Sequence, residues 1–278
     1  MATKSQINRL PNSTFELTIT VPWSQVKFSI DKLTEQSLKE VEVKGFRKGK
    51  APKKIAEQKL DKDQLFQEAV RQIVPEAYLE AIKTENLHPI VNPKIELLSF
   101  KEGEDWIFKA SACEKPKISL GNYKEKIKEI TAKSKIVVPG KENNEEPKLD
   151  EIVKVILESA EIDLPQLLIE NEVNRLLAKT LDEIKALGLT LEQYLSSVGK
   201  TPEGLREEYT QKAANDLKLE FILEEIAETE SITVTPEDIE KVIKETKDPQ
   251  AQVSLRGNSY LLAAIIRQQK TLDFIKNL

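Results

Sequence analysis

Residues 13–21 alternate apolar and polar side chains, with Phe15, Leu17, Ile19 and Val21 sharing one side of the alternation. Successive strand side chains point to opposite faces, so this period of two predicts a half-buried strand, which Pro22 ends. Beyond it Val26, Ile30, Leu33, Ser37 and Val41 recur at three- and four-residue spacing, predicting an amphipathic helix that stops before Gly45. Pro52 suits the first turn of a new helix, where its missing N–H is an orphan donor anyway, and Ile55 and Leu60 supply an apolar side. Leu65, Ala69, Ile73, Ala77 and Ile82 mark a longer helix to about Asn86, with Pro75 inside it as a point of bending. Strands are expected near 90–100 and 105–114, joined by the polar loop Lys101-Glu102-Gly103-Glu104. The first domain, residues 1–115, thus reads β-α-loop-α-α-β-β, an α+β arrangement.

A boundary falls near Pro116. Residues 116–148 are expected to hold an extended segment from Ile118 to Ile130, the apolar run Ile136-Val137-Val138, and a solvated connector from Pro139 to Pro147. From 149 to 278 the pattern is helical almost throughout. Asp163 is placed to cap a helix with Pro165 in its first turn, carrying Ile169, Val173, Leu176, Leu177, Ile184 and Leu187 before Gly188. Thr190 with Gln193 has the form of a capping box. Thr201-Pro202 and Thr235-Pro236 start two more helices, and Leu261, Leu262, Ile265, Ile266, Leu272 and Ile275 lie on a last one. The fold class is therefore α+β, with a mainly α-helical second domain.

At 278 residues and 39% hydrophobic, the chain has enough apolar surface for two cores. The formal charge of -5 conceals an asymmetry. Residues 44–54 carry six bases and no acid, whereas residues 150–248 hold 24 acids against 11 bases. One short segment is thus an anion-binding candidate in an acidic protein. The start has no apolar run suited to a signal peptide and no later stretch approaches a membrane span, so the expected location is cytoplasmic, with no membrane partner. The single cysteine, Cys113, excludes an internal disulfide or a cysteine metal cluster and reads as a small strand residue.

The basic segment connects two expected helices, an exposed place where binding residues accumulate. Gly45 and Gly49 relax its backbone, while Arg47, Lys48 and Lys50 project beside Phe46, an aromatic ring with no apolar neighbour. Such a loop is either a solvated turn or a surface for phosphates and a protein pocket together. Its sequence resembles the Gly-Phe-Arg-x-Gly-x-x-Pro signature of the trigger factor family, the bacterial ribosome-associated chaperones, complete here as Gly45, Phe46, Arg47, Gly49 and Pro52. The likeness extends to the Pro22-Trp23 helix start, to Pro116-x-Ile118-x-Leu120-Gly121-x-Tyr123-Lys124, to Asp163-Leu164-Pro165 and to the Ala213–Val234 stretch.

The resemblance implies that Gly45, Phe46, Arg47, Lys48, Gly49, Lys50 and Pro52 form a ribosome-binding loop. Phe46, Arg47 and Lys48 would contact protein and rRNA of the large subunit at the tunnel exit. It further implies an ATP-independent helical cradle for nascent or unfolded polypeptides, no cofactor, and a homodimer off the ribosome. The client-binding residues are not assignable from sequence, because the same leucines and isoleucines serve equally as core. The family usually inserts an FKBP-type prolyl-isomerase domain after the first domain. Only residues 116–148 stand there, and Tyr123 is the sole aromatic between Phe108 and Tyr194, so neither the length nor the aromatic pocket of that enzyme is expected.

Other chemistry is thin. His88, the only histidine, reads as a turn residue between Leu87 and Pro89, without the partners of a metal ligand or a catalytic base. Pairs such as Glu207-Glu208 and Glu224-Glu225 read as solvated helix faces, and the nine glycines form no phosphate loop. Trp23 and Trp106 read as anchors of the first core. Neither catalytic nor metal residues are expected. Two further readings remain, a secreted chaperone with a similar helical body and an RNA-binding protein using the basic loop alone.

Overall fold

A computed structural model describes residues 3–41, 46, 52–134 and 149–278. The chain divides into two compact units, Met1–Lys115 and Pro116–Leu278. The first contains β1 (Lys4–Arg9), β2 (Thr14–Val21), α1 (Trp23–Glu40), α2 (Lys53–Glu57), α3 (Lys62–Glu85), β3 (Lys94–Ser99) and β4 (Trp106–Cys113). The strands form an antiparallel sheet in the order β1-β2-β4-β3. β2 lies opposite β4 with Phe15 facing Ala112 and Ile19 facing Phe108. The alternation in β2 is therefore real: Phe15, Leu17, Ile19 and Val21 are buried, and they join Trp106, Phe108 and Ala110 beneath α1 and α3. Trp106 is fully enclosed, with the rings of Phe66 and Phe100 at centroid distances of 4.9 and 4.8 Å, while Trp23 is half-buried against the same core.

Local chemistry explains the helix ends. The Asp105 carboxylate accepts the Trp23 N–H at 2.8 Å, satisfying a donor that α1 leaves orphaned at its start. Asp61 caps α3 by accepting from the Asp63 and Gln64 amides, and Asn86 closes it in the left-handed conformation at φ 51. The His88 N–H donates to Glu114 at 2.9 Å, so His88 sits in a loop stitched to the end of β4. Cys113 is buried, and burial pushes its thiol up to about 11, far from thiolate reactivity at neutral pH.

The order of this unit is β-β-α-α-α-β-β, not the expected β-α-loop-α-α-β-β. β1 is the addition. Its sequence Lys-Ser-Gln-Ile-Asn-Arg is polar because it is an edge strand that offers only Ile7 to the core, so no alternation betrays it.

The second unit comprises β5 (Ile118–Ser119), α4 (Tyr123–Ser134), α5 (Leu149–Ser159), β6 (Glu161–Ile162), α6 (Gln166–Ala186), α7 (Leu191–Val198), α8 (Pro202–Thr229), α9 (Pro236–Glu245), α10 (Pro249–Gly257) and α11 (Ser259–Lys276). Its core joins Tyr123, Ile127, Ile152, Ile156, Ile222 and Ile226, and a smaller cluster gathers Ile243, Leu262 and Ile266. Residues 118–130 are not extended. Ile118 and Ser119 pair briefly with β6, after which Tyr123 and Ile127, one helical turn apart, go into the core as the buried face of α4. The Tyr123 hydroxyl donates to Glu230 at 3.3 Å, and Lys124 pairs with the same carboxylate at 2.6 Å, fixing α4 against the end of α8.

Thr190, Thr201 and Thr235 cap α7, α8 and α9, the first and last with complete capping boxes. Asp163 does not cap α6. Pro165 is the N-cap residue, and α6 has no side-chain cap.

Candidate functional site

Two places in the molecule are candidates for binding surfaces. The first is the connection from α1 to α2. Of its seven candidate residues, Phe46 and Pro52 are described, whereas Gly45, Arg47, Lys48, Gly49 and Lys50 lie outside the described residues. Phe46 is 46% exposed. Pro52 is not in the first turn of α2 but is its N-cap residue at φ -54, ψ 135, and its carbonyl accepts from the Ile55 and Ala56 amides. On the far side, α1 packs against α3 in the same unit and ends at Glu40, so the connection leaves and re-enters ordered helices. Ile55, expected on the packed side of α2, is exposed, and Ala56 takes the buried position.

The second is a groove in the helical unit, about 740 Å³ in volume, between α8 and α11 and lined also by residues 232–234. Leu223 and Ala227 form its buried α8 wall, and Tyr260, Leu261 and Ile265 form its α11 wall. These last three are 90%, 61% and 55% exposed, a contiguous apolar face open to water. Its origin lies in the sequence of α11, which carries adjacent apolar pairs. Neighbours on a helix point about 100° apart, so one packing partner covers only one of each pair. Leu262 and Ile266 enter the small cluster with α9, leaving Leu261 and Ile265 uncovered. Leu187 and Val198, at the two ends of the α6–α7 tip, are exposed as well.

The part of the groove lined by residues 232–234 is braced by polar contacts. Arg267 donates from Nε to the Ile232 carbonyl at 3.0 Å, and Lys270 donates to the Thr233 carbonyl at 3.3 Å. Lys270 also pairs with Asp238 at 2.5 Å, a contact that holds the carboxyl well below its ordinary range, at about 2. Glu220 and Glu224 line the α8 side, giving the apolar groove an acidic flank. None of these residues was identified as a site from sequence. The available signal was the doubling Leu261-Leu262 and Ile265-Ile266, one apolar residue more per turn than a single core requires.

Among the described residues no cluster of His, Cys, Asp and Glu could hold a metal ion, and no helix is long and apolar enough to cross a membrane. Exposed apolar grooves and runs of bases are features that commonly mark surfaces for macromolecules.

The fold falls in a known class. A chain from the solved structure "Promiscuous Substrate Recognition in Folding and Assembly Activities of the Trigger Factor Chaperone" superimposes with a TM-score of 0.67 over 99% of both chains, at 15% identity. The sequence gives the relationship directly: the profile of "Bacterial trigger factor protein (TF)" matches residues 3–152, and that of "Bacterial trigger factor protein (TF) C-terminus" matches residues 120–277. The chain belongs to the bacterial trigger factor family. Among its relatives, the trigger factor of Staphylococcus epidermidis is 39% identical and that of Staphylococcus aureus 37% identical, each over 108 residues. Those alignments cover 39% of this chain and 25% of each relative, so the matched segment spans about a quarter of the relatives' length.

Proposed function

We propose that this chain is an ATP-independent chaperone that docks at the ribosomal tunnel exit through the Gly45–Pro52 loop and holds unfolded polypeptides in the α8–α11 groove. The observation that carries this reading is the open apolar wall of Tyr260, Leu261 and Ile265 in a chain whose two units both match the trigger factor family. Folded proteins rarely leave such a face bare without a partner for it, and an unfolded chain offers scattered apolar side chains that fit it. Holding requires reversible contact. A shallow groove open along α11 gives many weak contacts, and nothing in that contact calls for nucleotide.

The loop supplies location. Six bases within residues 44–54 neutralise rRNA phosphates, and the exposed ring of Phe46 is available for a pocket on a ribosomal protein. Such docking places the chaperone in the cytoplasm. Residues 1–115 are the docking domain on this reading, and residues 149–278 the client-holding domain. In the 116–148 stretch between them, β5 and α4 serve the helical core, which supports the reading that no prolyl-isomerase domain is inserted there. No isomerase activity is expected. Turnover of a proline-containing peptide, abolished by an FKBP-type inhibitor, would contradict that.

The holding function is tested by diluting a chemically denatured protein into buffer with and without this chain, in the absence of nucleotide. Light scattering is expected to fall in proportion to the chaperone added and to level off near stoichiometric amounts. Undiminished aggregation at a several-fold molar excess would refute it.

A further inference from the structure

The groove contains one feature that an apolar patch alone does not need. Residues 232–235, between α8 and α9, belong to neither a helix nor a strand, and the first three of them line the groove. The carbonyls of Ile232 and Thr233 are occupied by Arg267 and Lys270, the Ile232 N–H by Ala227, and the Thr235 N–H by Asp238. Among the described residues, the Thr233 N–H and both the N–H and C=O of Val234 have no hydrogen-bond partner. Val234 itself is half-buried on the groove wall. Three braced neighbours therefore hold one residue with its donor and acceptor both unused, beside an exposed apolar face.

We propose that Val234 is a backbone docking edge, and that the groove takes an extended segment of an unfolded polypeptide as an added strand, its main chain pairing with Val234 and alternate apolar side chains entering between α8 and α11. This rests on the chaperone reading above and specifies how the client is held. An extended segment is the occupant the geometry favours. Its N–H and C=O groups are free along both edges, whereas a helix spends its interior groups on itself and a folded partner has few to offer. Main-chain pairing is also indifferent to sequence, so it adds affinity for any unfolded chain while the apolar wall selects for alternating hydrophobic side chains. Arg267 and Lys270 are positioning residues here, since they hold the carbonyls that set the path of the run.

The test uses the intact chain and a labelled seven-residue capped peptide with leucine at alternate positions and serine between. Two derivatives are N-methylated, one at the leucine amides and one at the serine amides. Each keeps every side chain but loses the donors of one strand edge. Binding is read by fluorescence anisotropy, and Ile265→Asp locates the site without disturbing a buried residue. One derivative is expected to bind about ten-fold more weakly than the parent, the effect of losing one or two backbone hydrogen bonds, and the other to bind nearly as well. Ile265→Asp is expected to weaken the parent peptide to a similar or greater extent. Equal binding by all three peptides, equal loss by both derivatives, or indifference to Ile265→Asp would each overturn the proposal. Aggregation suppression measured on the same preparation separates the two claims: if it persists while N-methylation has no effect, the docking edge fails and the chaperone reading stands.

Discussion

Replacing Gly121 by alanine tests the joint at which α4 and α5 meet. Gly121 has φ +57, and a Cβ built on it would lie 2.3 Å from the Ser159 carbonyl oxygen, well inside contact distance. The pairing of Ser119 with Glu161 brings the two segments together, so the clash is with backbone and no flexible side chain can yield. A non-glycine residue in the left-handed region costs about 1–2 kcal/mol. Forcing an extra carbon into a packed site costs about 1–3 kcal/mol more, giving a total of about 2–5 kcal/mol. Gly199 is the control, because it has φ +65 with nothing within 4 Å of its Cβ position. Gly199→Ala should therefore cost the conformational part alone, about 1–2 kcal/mol. With a urea slope of about 2 kcal/mol/M, the Gly121→Ala midpoint should fall by about 1–2.5 M, and that of Gly199→Ala by about 0.5–1 M. Far-UV circular dichroism follows the helical unit, while both tryptophans, Trp23 and Trp106, report on the first unit. The tryptophan transition should move less than the helical one. Equal midpoints for the two alanine variants would refute the claim that contact with Ser159 dictates glycine at 121.

Ile226→Ala, at a fully buried position in the helical core, is expected to destabilise that unit by about 2–5 kcal/mol in urea unfolding. Tyr78→Phe should leave the first unit as stable or slightly more so, because the buried hydroxyl has no partner among the described residues and burial pushes the phenol up to about 12. A clear loss of stability by tryptophan fluorescence would show that the hydroxyl is satisfied. Asp238 is depressed to about 2 by Lys270, so its contribution is present above the ordinary carboxylate pKa and is lost as pH falls through the folded value. Asp238→Asn should accordingly be less stable than the parent at pH 7, with the difference closing between about pH 4 and pH 2; a difference constant with pH would exclude the ion pair as its source.

What the sequence showed, and what it hid, follows from how each element is buried. β2 was legible because one face is entirely core, and the caps of α7, α8 and α9 were legible because threonine capping is local chemistry. β1 was not, since an edge strand contributes little to a core, and α10 has no buried residue to set a period. In α4 Tyr123 and Ile127 are the buried positions among the described residues, too few to distinguish a helix from an extended connector without its neighbours. Asp163 misled because a capping residue type was close to a helix start, but Pro165 set the boundary. The proposed docking loop stands out in the sequence as a motif of charge, glycine and one aromatic ring, and five of its seven candidate residues lie outside the described residues. The groove was not, because which member of Leu261-Leu262 or Ile265-Ile266 faces water depends on where α9 packs, a tertiary fact.

Ribosome docking through the loop is the claim on which the account turns, and co-sedimentation with 70S ribosomes measures it directly. The parent chain is expected to pellet with ribosomes, less so as salt rises, because phosphate contacts release counterions. Changing Phe46, Arg47 and Lys48 together to alanine is expected to weaken pelleting by at least about ten-fold while the far-UV spectrum is unchanged, since two phosphate contacts and one aromatic anchor are lost. Undiminished co-sedimentation of the folded triple variant would contradict the account.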